Sequence, residues 1–385
     1  MSDEEFPSEW LGAFPRNLAA AKFDANHPYN LAESTAEDLT LGEFVRLVGA
    51  EALEQLSLGY GPAAGRPDLR EAIGRICDVP PESVLTTHGV AFGLFLLAFE
   101  ICRPGDEAVL TVPCFPPSRN ALTACGVKVR QVRQSFDEKY TLDLDAMAEQ
   151  LNPRTRLVSL TNPANPSGVV LGNDILQRLL DLMAERAPNA LLFVDESYRE
   201  ATYGNEPPPS AAVLGPRVIV GASVSKAYGA PGLRVGWLII TDRSLRERLT
   251  VAKTNTMISC SSMSEAMASL LVTRRDRTLH PRRRRMAEAL GIVKSWIDRE
   301  NERVEWVAPD AGGLCCVRLR HARFPEIAVK EFWSKLPSPD LQLSPGSWFG
   351  DEERIFRLGF GYLPTKRLVR ALSILSQAMN RQSLR

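Results

Sequence analysis

Lys226 is the side chain in this sequence with the clearest potential for covalent chemistry. It lies in residues 223–237, a segment rich in small residues and glycine. Apolar, strand-like sequence precedes the segment at residues 218–220 and closes it at residues 237–240. A lysine amine that such a frame removes from water becomes a nucleophile for carbonyl groups. The pattern therefore predicts a lysine that can form a Schiff base.

Three polar side chains follow predicted buried strands. Asp195 ends the apolar run at residues 191–194, Tyr198 comes three residues later, and Asn165 lies in the proline-rich turn at residues 162–168. A carboxylate at a buried strand end needs a partner, and a pyridinium N–H is a suitable one. The Asn165 amide and the Tyr198 phenol would then donate hydrogen bonds to an oxygen on the same pyridinium ring. The alternatives are a helix cap or salt bridge for the aspartate, packing for the tyrosine and an ordinary turn for the asparagine.

An anion site is predicted where Gly89 opens the apolar helix expected at residues 90–101. The N-terminus of a helix offers free N–H groups and the positive end of its dipole to a phosphate. Ser223 lies three residues before Lys226 and Arg234 eight residues after it, and a charge in a tight glycine-containing loop favours an anion. The predicted cradle comprises Ser223, Arg234 and the backbone of Gly89, Val90 and Ala91.

Two further residues could contact a bound ligand, one at a flat ring and the other at a carboxylate group. Phe115, after the predicted strand at residues 108–112, is a candidate for ring stacking, with core packing as the alternative. Arg357 stands among apolar residues in a strand-like segment, where its guanidinium would bind a carboxylate in bidentate fashion. Arg354 competes with it for this role.

The elements that position these residues alternate between short β-rich runs and helical patterns. Strands are predicted at residues 83–85, 108–112, 128–132, 157–160, 191–194, 218–220 and 236–240. Helices are predicted at residues 67–76, 90–101, 117–125, 144–150, 174–186 and 243–253. This alternation is typical of an α/β fold with a mostly parallel central sheet, whose ligands bind at the carboxyl ends of the strands.

The pattern changes after about residue 270. A long helical stretch at residues 262–299 leads into predicted strands and a final helix, at residues 304–307, 313–319, 355–360 and 366–379. We therefore expect an N-terminal arm (residues 1–45), a large ligand-binding domain (residues 46–270) and a small C-terminal α+β domain (residues 271–385), with the arm packed on the small domain.

The chain resembles class I/II aminotransferases over nearly its whole length. The spacings from Asp195 to Tyr198, from Ser223 to Lys226 and from Lys226 to Arg234 are similar to those of this family. Its members are fold-type I enzymes that depend on pyridoxal 5′-phosphate (PLP). Residues 29–34, 86–89 and 225–229 are most similar to the capreomycidine synthase-like branch. That branch includes enzymes that use PLP to cyclise arginine derivatives instead of transaminating.

The resemblance assigns roles to the candidate residues. Lys226 would form the aldimine and shuttle the proton, while Asp195 would pair with the pyridine nitrogen. The other implied cofactor contacts are Asn165 and Tyr198 at the 3′-oxygen, Gly89, Val90, Ala91, Ser223 and Arg234 at the phosphate, and Phe115 against the ring. Arg357 would bind the substrate carboxylate.

Two more residues receive roles from the resemblance. Tyr60, within residues 58–62, would reach the phosphate of a partner subunit, which implies a homodimer with shared active sites. Glu33, on the arm that covers the site, would bind an amino or cationic group of the substrate. A surface carboxylate is the alternative for Glu33.

Composition and charge exclude other classes. Lys and Arg together number 46, as do Asp and Glu, so no nucleic-acid partner is expected. The arginine run at residues 282–285 is interpreted as a solvated helix face, with anion or nucleic-acid binding as the alternative.

The longest apolar run, residues 89–102, contains Glu100 and is too short to span a membrane. Seven cysteines without a CxxC pair favour reduced thiols, a cytoplasmic location and no metal site.

We therefore expect a PLP-dependent enzyme that acts on an L-α-amino acid through Cα deprotonation to a quinonoid. Transamination is the first expectation. The alternative is a biosynthetic cyclase or annulase that works by β- or γ-elimination and replacement. Val90, Ala91 and Phe115 lack the hydroxyl groups common at their positions in the family, and this departure would fit a specialised substrate. A non-catalytic regulator would carry an added DNA-binding domain, which we do not expect in this chain.

Overall fold

A computed structural model of the protein describes residues 27–336 and 341–380. The first 26 residues of the predicted arm lie outside this range. The described helices are α1 (Leu41–Val48), α2 (Glu51–Glu54), α3 (Pro67–Cys77), α4 (Val90–Ile101), α5 (Pro116–Ala124), α6 (Leu144–Gln150), α7 (Asn173–Arg186), α8 (Arg243–Met257), α9 (Ser262–Thr273), α10 (Arg275–Arg299), α11 (Glu326–Lys335), α12 (Gly346–Phe349) and α13 (Thr365–Asn380). The strands are β1 (Val84–Thr87), β2 (Glu107–Val112), β3 (Lys128–Arg133), β4 (Thr155–Thr161), β5 (Leu191–Asp195), β6 (Val218–Ser223), β7 (Gly236–Ile240), β8 (Val304–Val307), β9 (Leu314–Leu319), β10 (Ser344–Pro345) and β11 (Ile355–Gly359).

The larger sheet has the strand order β1-β7-β6-β5-β4-β2-β3. Strands β2 to β6 pair in parallel, while β7 is antiparallel to both of its neighbours, β1 and β6. The carboxyl ends of β4, β5 and β6 therefore meet at one edge of the sheet. The predicted α/β fold with a mostly parallel central sheet is confirmed.

Helices cover both faces of this sheet because its central strands are apolar on both sides. In β5, Leu192 and Val194 belong to a core cluster that also contains residues of α3, α7 and α9. The intervening Phe193 packs in a second cluster with residues of α4 and α8. Alternate residues of a strand point to opposite faces, so one short apolar run serves both cores.

The smaller sheet is antiparallel, with the order β10-β11-β9-β8. Its core cluster combines apolar residues of β9 and β11 with residues of α10, α11 and α13. Leu31 and Ala36, from the segment before α1, pack in the same cluster. This part of the chain has the α+β character expected after residue 270, while the domain boundaries themselves stay predictions.

Several elements differ from the sequence-based expectation: α1, α2, α12 and β10 were not predicted, and two further differences have a clear physical reason. The predicted helix at residues 262–299 is two helices that meet at Arg274, whose N–H bonds back to Leu270 and whose backbone leaves the helical region. Helix α11 was not predicted. It follows Pro325 and buries Ala328, Val329 and Phe332 against the small sheet, a contact that supports a short helix from outside.

Candidate active site

A cavity of about 680 Å³ opens at the carboxyl edge of the large sheet. Its lining combines the ends of β5 and β6, the start of α4 and the segment that precedes α1. The polar lining residues are Asn30, Glu33, Ser34, Thr35, Asp38, Ser118, Thr161, Asn165, Asp195, Ser197, Tyr198, Ser223, Ser225, Lys226, Arg234 and Tyr362. The structure thus brings together predicted residues that are up to 201 positions apart (Glu33 to Arg234).

Lys226 lies in the turn after β6, and its amine points into the cavity. The Nζ atom donates a hydrogen bond to Ser34 Oγ at 3.2 Å and lies 3.8 Å from Glu33 Oε1. The side chain retains 25% of its exposure. The backbone carbonyl of Lys226 accepts from the Ala36 N–H at 3.1 Å, which fixes the chain before α1 against this turn. The lysine is therefore held, accessible and adjacent to a carboxylate.

Asp195 ends β5 and presents its carboxylate to the same cavity. Its Oδ1 accepts the N–H of Ser197 at 2.9 Å, the bond expected where a strand turns away. Burial raises the pKa of this carboxyl, and the nearby charge of Lys226 only partly offsets that rise. A buried carboxyl in this state favours a partner that donates a proton or carries positive charge.

Four side chains form a connected hydrogen-bond network beside Lys226. Tyr198 OH lies 2.9 Å from Ser34 Oγ and accepts from Asn165 Nδ2 at 3.3 Å. Asn165 Oδ1 in turn accepts from Arg357 Nη1 at 2.9 Å. The loop that carries Asn165 is closed by Asn162, which exchanges two 2.8 Å bonds with the backbone of Leu171. The network fixes the orientation of the phenol and the amide toward the cavity.

Arg357 is fully buried behind Asn165 and is not among the lining residues. Its Nη2 donates to the Ala32 carbonyl, and its Cζ lies 4.8 Å from the centroid of the Phe349 ring. Its Nε is buried and has no hydrogen-bond partner in the part of the chain that the structure describes. Burial lowers the pKa of this guanidinium. One donor of the fork is therefore still available.

Arg354 faces away from the cavity. Its guanidinium donates to Glu326 Oε1 at 2.7 Å and to two backbone carbonyls in the small-sheet core. Because side chains alternate along a strand, residues three positions apart point to opposite faces. Of the two arginines, Arg357 is thus the one that contacts a residue of the cavity lining, Asn165, and its role stays a prediction.

The N-terminus of α4 and the loop before β7 form a concave backbone surface. Gly89 has φ +78°, and a Cβ built on it would lie 2.8 Å from Arg234 Nη2. The N-cap residue of this helix is Gly89, which has no side chain to cap it, and among the described residues no side-chain cap bonds its first N–H groups, at Val90 and Ala91. Ser223 ends β6 beside them. These residues line the cavity together and form a site suited to an anion.

The remaining predicted residues lie as follows. Phe115 is half-buried, lines the cavity and contacts Trp348 with ring centroids 5.7 Å apart. Tyr60 is 87% exposed and does not line the cavity of its own chain. His88, which directly precedes Gly89 and was not one of the predicted site residues, also lies outside the lining. Burial, followed by the nearby charges of Lys253 and Arg234, lowers the pKa of its imidazole.

The arginine run at residues 282–285 is mostly engaged within the chain. Arg282 donates to the Glu37 carbonyl at 2.7 Å, Arg283 to Glu200 Oε2 at 2.9 Å, and Arg285 pairs with the Glu37 carboxylate. The run ties α10 to the segment before α1 and to the region after β5. The prediction that this arginine run is a solvated helix face therefore holds for only some of its residues.

Sequence reasoning missed three lining groups near Glu33. Ser34 joins Lys226 to Tyr198, while Asp38 accepts from Tyr362 OH at 3.4 Å. Burial, and next the charge of Glu33, raises the pKa of Asp38. Ser34 lies inside the segment at residues 29–34 that carried a family resemblance, so a signal existed. Asp38 and Tyr362 gave none, because they meet only in the folded chain.

The described ranges contain neither a candidate membrane-spanning helix nor a candidate metal-binding cluster. No helix in them is both long and apolar enough to cross a membrane. They also contain no cluster of three or more histidine, cysteine, aspartate or glutamate side chains arranged to hold a metal ion.

Known proteins share this sequence pattern and this fold. Capreomycidine synthase of Streptomyces vinaceus is 30% identical over 96% of this chain and 96% of its own. Histidinol-phosphate aminotransferase 2 of Carboxydothermus hydrogenoformans is 35% identical over 49% of this chain and 50% of its own. Among solved structures, a PLP-dependent aminotransferase from Streptococcus suis superposes with a TM-score of 0.86 at 23% identity, covering 99% of this chain and 100% of its own.

The solved structure of the PLP-dependent cyclase OrfR has a TM-score of 0.81 at 22% identity, covering 99% of both chains. The similar proteins thus include both aminotransferases and a cyclase, and the type of reaction stays open between them. The sequence model described as "Aminotransferase class I and II" matches residues 24–375. The chain belongs to the aminotransferase class I and II family, whose enzymes depend on PLP.

Proposed function

We propose that this cavity binds PLP and that the protein acts on an L-α-amino acid at its Cα–H bond. One observation carries the proposal: the Lys226 amine, the Asp195 carboxylate and the anion cradle at Gly89 line a single cavity. An amine, a buried carboxylate and an anion site match the aldehyde, the pyridine nitrogen and the phosphate of one cofactor.

The residues present fit PLP by their own chemistry. The uncapped α4 and the guanidinium of Arg234 suit a phosphate, and Gly89, with φ +78°, has a backbone conformation that other residues rarely adopt. The raised pKa of Asp195 suits a ring N–H as its partner. The proposed cofactor contacts are Gly89, Val90, Ala91, Phe115, Asn165, Asp195, Tyr198, Ser223, Lys226 and Arg234, with Tyr60 from a partner subunit.

When bound, PLP supplies an electron sink that makes the Cα–H bond of an amino acid acidic. Lys226 is the proposed base, because its Nζ lies in the cavity and hydrogen-bonds Ser34 Oγ, which leaves its position defined. Asp195 would hold the ring-nitrogen proton. Tyr198 and Asn165 would donate toward the ring oxygen from the positions fixed by their mutual bond.

Arg357 is the proposed binding group for the substrate α-carboxylate. Its Nη1 is held by Asn165, and its buried Nε remains available to a carboxylate oxygen. The Ala32 carbonyl occupies Nη2, so the chain segment that carries Ala32 and Glu33 would move as substrate enters.

Transamination is the first candidate reaction, since it needs only the groups named above. Cyclisation or replacement is the second candidate, and two observations favour it. The capreomycidine synthase of S. vinaceus matches almost the whole chain. The carboxylates of Glu33 and Asp38 line the wall near Lys226, where they would attract a substrate with a second cationic group. Glu33 is the proposed contact for that group.

Borohydride reduction of the PLP-incubated protein, followed by peptide mass spectrometry, tests the site. We expect a pyridoxyl group on Lys226 and on no other lysine. A protein that carries no pyridoxyl group, or carries it elsewhere, would contradict the proposal. Exposed Lys294 provides an internal comparison within the same digest.

A panel of amino acids separates the two candidate reactions. Conversion of PLP to pyridoxamine phosphate with release of a keto acid indicates transamination. A product that retains nitrogen and has lost water or another leaving group, without formation of pyridoxamine phosphate, indicates replacement or cyclisation. Glu33→Gln should raise KM for a cationic substrate about tenfold and leave KM for an uncharged one unchanged.

The proposed assembly is a homodimer with shared active sites. Tyr60 supports it: the side chain is almost fully exposed in the single chain and lies outside that chain's own cavity. Sedimentation measurements that find a monomer at micromolar concentration would contradict this part of the proposal.

A further inference from the structure

Lys253 is a fully buried lysine that the proposed chemistry does not use. It lies on α8, behind the segment that we name the Tyr60 loop (residues 57–66). Its Nζ donates to the Ala63 carbonyl of that loop at 2.6 Å and to Thr86 Oγ1 of β1 at 3.1 Å. Burial lowers the pKa of this amine. The lysine thus joins the backbone of the loop to the strand that leads to Gly89.

Glu265, on α9, holds the same loop from a second point. It is fully buried, and its Oε2 accepts the N–H of Arg66 at 3.1 Å. A Cβ on Gly61 would lie 3.6 Å from that oxygen. The start of the loop is bound to the same helix, since Ser262 Oγ donates to the Ser57 carbonyl at 3.3 Å. Charged and polar groups therefore fix the loop backbone at both ends.

The loop also packs directly on β1. Thr86 N–H donates to the Ala64 carbonyl at 3.1 Å. Gly65 has φ +105°, and a Cβ at this position would lie 2.4 Å from the Thr86 side chain, so only glycine fits. Thr86 precedes Gly89 by three residues. The Tyr60 loop and the anion cradle are consequently parts of one connected unit.

The tip of the loop contrasts with its base. Leu58 and Tyr60 are almost fully exposed, although the base is held by two buried ionisable groups. Burying an ionisable side chain costs free energy that its hydrogen bonds must offset, so such a group is a poor means of adding stability. Directed hydrogen bonds do, however, specify where a backbone lies. The arrangement is therefore better explained by positioning of the tip than by stability.

We propose that Lys253 and Glu265 are positioning residues that hold the Tyr60 loop so that the Tyr60 hydroxyl reaches the anion cradle of a second copy of the chain. This inference rests on the proposed PLP site and homodimer. It assigns a role to two residues that do not touch the cavity. Because Lys253 also bonds Thr86 beside the chain's own anion cradle, a double variant with Tyr60→Phe tests whether its effect on cofactor binding passes through Tyr60.

The test compares PLP dissociation constants of full-length variants by equilibrium dialysis, at a temperature where thermal unfolding shows all of them folded. Tyr60→Phe should weaken PLP binding about tenfold, the effect of losing one hydrogen bond to a charged group. Lys253→Met should weaken it at least as much. The double variant should bind no more weakly than Lys253→Met alone, because the two changes remove one interaction. Glu265→Gln keeps the side-chain shape and should show a smaller loss.

Lys294→Met, which alters an exposed lysine on α10, serves as the control and should bind PLP like the wild type. Multiplied losses in the double variant would overturn the positioning role. So would a Lys253→Met protein with a lower unfolding temperature and unchanged PLP binding. Failure of the PLP site itself is distinguishable, since the wild type would then carry no pyridoxyl group on Lys226 after reduction.

Discussion

Two carboxylates at opposite ends of the same sheet differ in their surroundings. Glu107 begins β2 at the amino edge and accepts hydrogen bonds from Arg130, from Arg154 Nη2 at 2.8 Å and from Asn152 Nδ2 at 2.7 Å. Asp195 ends β5 at the carboxyl edge and accepts one backbone N–H beside an open cavity. Glu107 is buried and Asp195 is half-buried, each near positive charge, and among the described residues only Glu107 has a full set of partners.

The pKa values of the two groups shift in opposite directions. Hydrogen bonding by Arg130 is the main cause that lowers the pKa of Glu107 to about 2. Burial raises the pKa of Asp195. A carboxylate whose hydrogen bonds are all made within its own chain is a structural group. A carboxylate that faces a cavity and can accept another partner is a candidate for function. The following predictions test this distinction.

Removal of the cation beside Asp195 should have the largest effect. Lys226→Ala should abolish the pyridoxyl adduct and lower turnover roughly thousandfold or more, because the proposed nucleophile and base is lost. Steady-state kinetics and mass spectrometry provide the measurements. The matched change at the amino edge, Arg154→Ala, should leave turnover intact. Equal loss of activity in the two variants would remove the distinction between the edges.

Asp195→Asn should lower turnover about a hundredfold, since the amide cannot stabilise a protonated ring nitrogen. Its free energy of unfolding should stay equal to that of the wild type or increase, because a neutral group replaces a poorly partnered buried carboxyl. Chemical denaturation of both proteins without cofactor measures this difference. A clear loss of stability would indicate a structural carboxylate like Glu107.

Glu107→Gln should behave in the opposite way. We expect a loss of about 2 kcal/mol in the free energy of unfolding, since charge-assisted hydrogen bonds from Arg130 and Arg154 are replaced by weaker ones. Turnover per folded molecule should not change. A drop in turnover without loss of stability would show that the amino edge participates in function.

The pH dependence should also separate the two variants. The pKa of Glu107 is lowered from 4.5 to about 2 in the folded chain, so its contribution is complete above about pH 4.5 and is lost as the pH falls toward 2. The deficit of Glu107→Gln should therefore disappear in acid. Asp195 has a raised pKa, so charging it costs stability, and any gain in Asp195→Asn should shrink as the pH falls below that raised value. Denaturation at several pH values measures both trends.

The smallest effect is expected for Arg154→Ala on stability. Its side chain is 68% exposed, and Glu107 keeps Arg130 and Asn152 as partners. The loss should stay below about 1 kcal/mol. A larger loss would mean that Glu107 depends on all its partners together.

Much of the fold was predictable because its signals are local. The alternation of strands and helices fixed the sheet class, and helices α4 and α6 match the predicted bounds. Helix α11 escaped prediction because its stability comes from contacts with the small sheet. The break at Arg274 also escaped, since the helical pattern continues on both sides of it.

By itself, the sequence determined the type of sheet and the residues at its carboxyl edge, including Lys226, Asp195 and Asn165. Strand period and turn chemistry are encoded by neighbouring residues, so they can be read without the fold. Only the tertiary structure decided that Arg357 rather than Arg354 bonds the cavity residue Asn165, that Ser34 joins Lys226 to Tyr198, and that Lys253 bonds the Tyr60 loop. Such contacts join residues far apart in sequence, and their geometry depends on how the strands and helices pack.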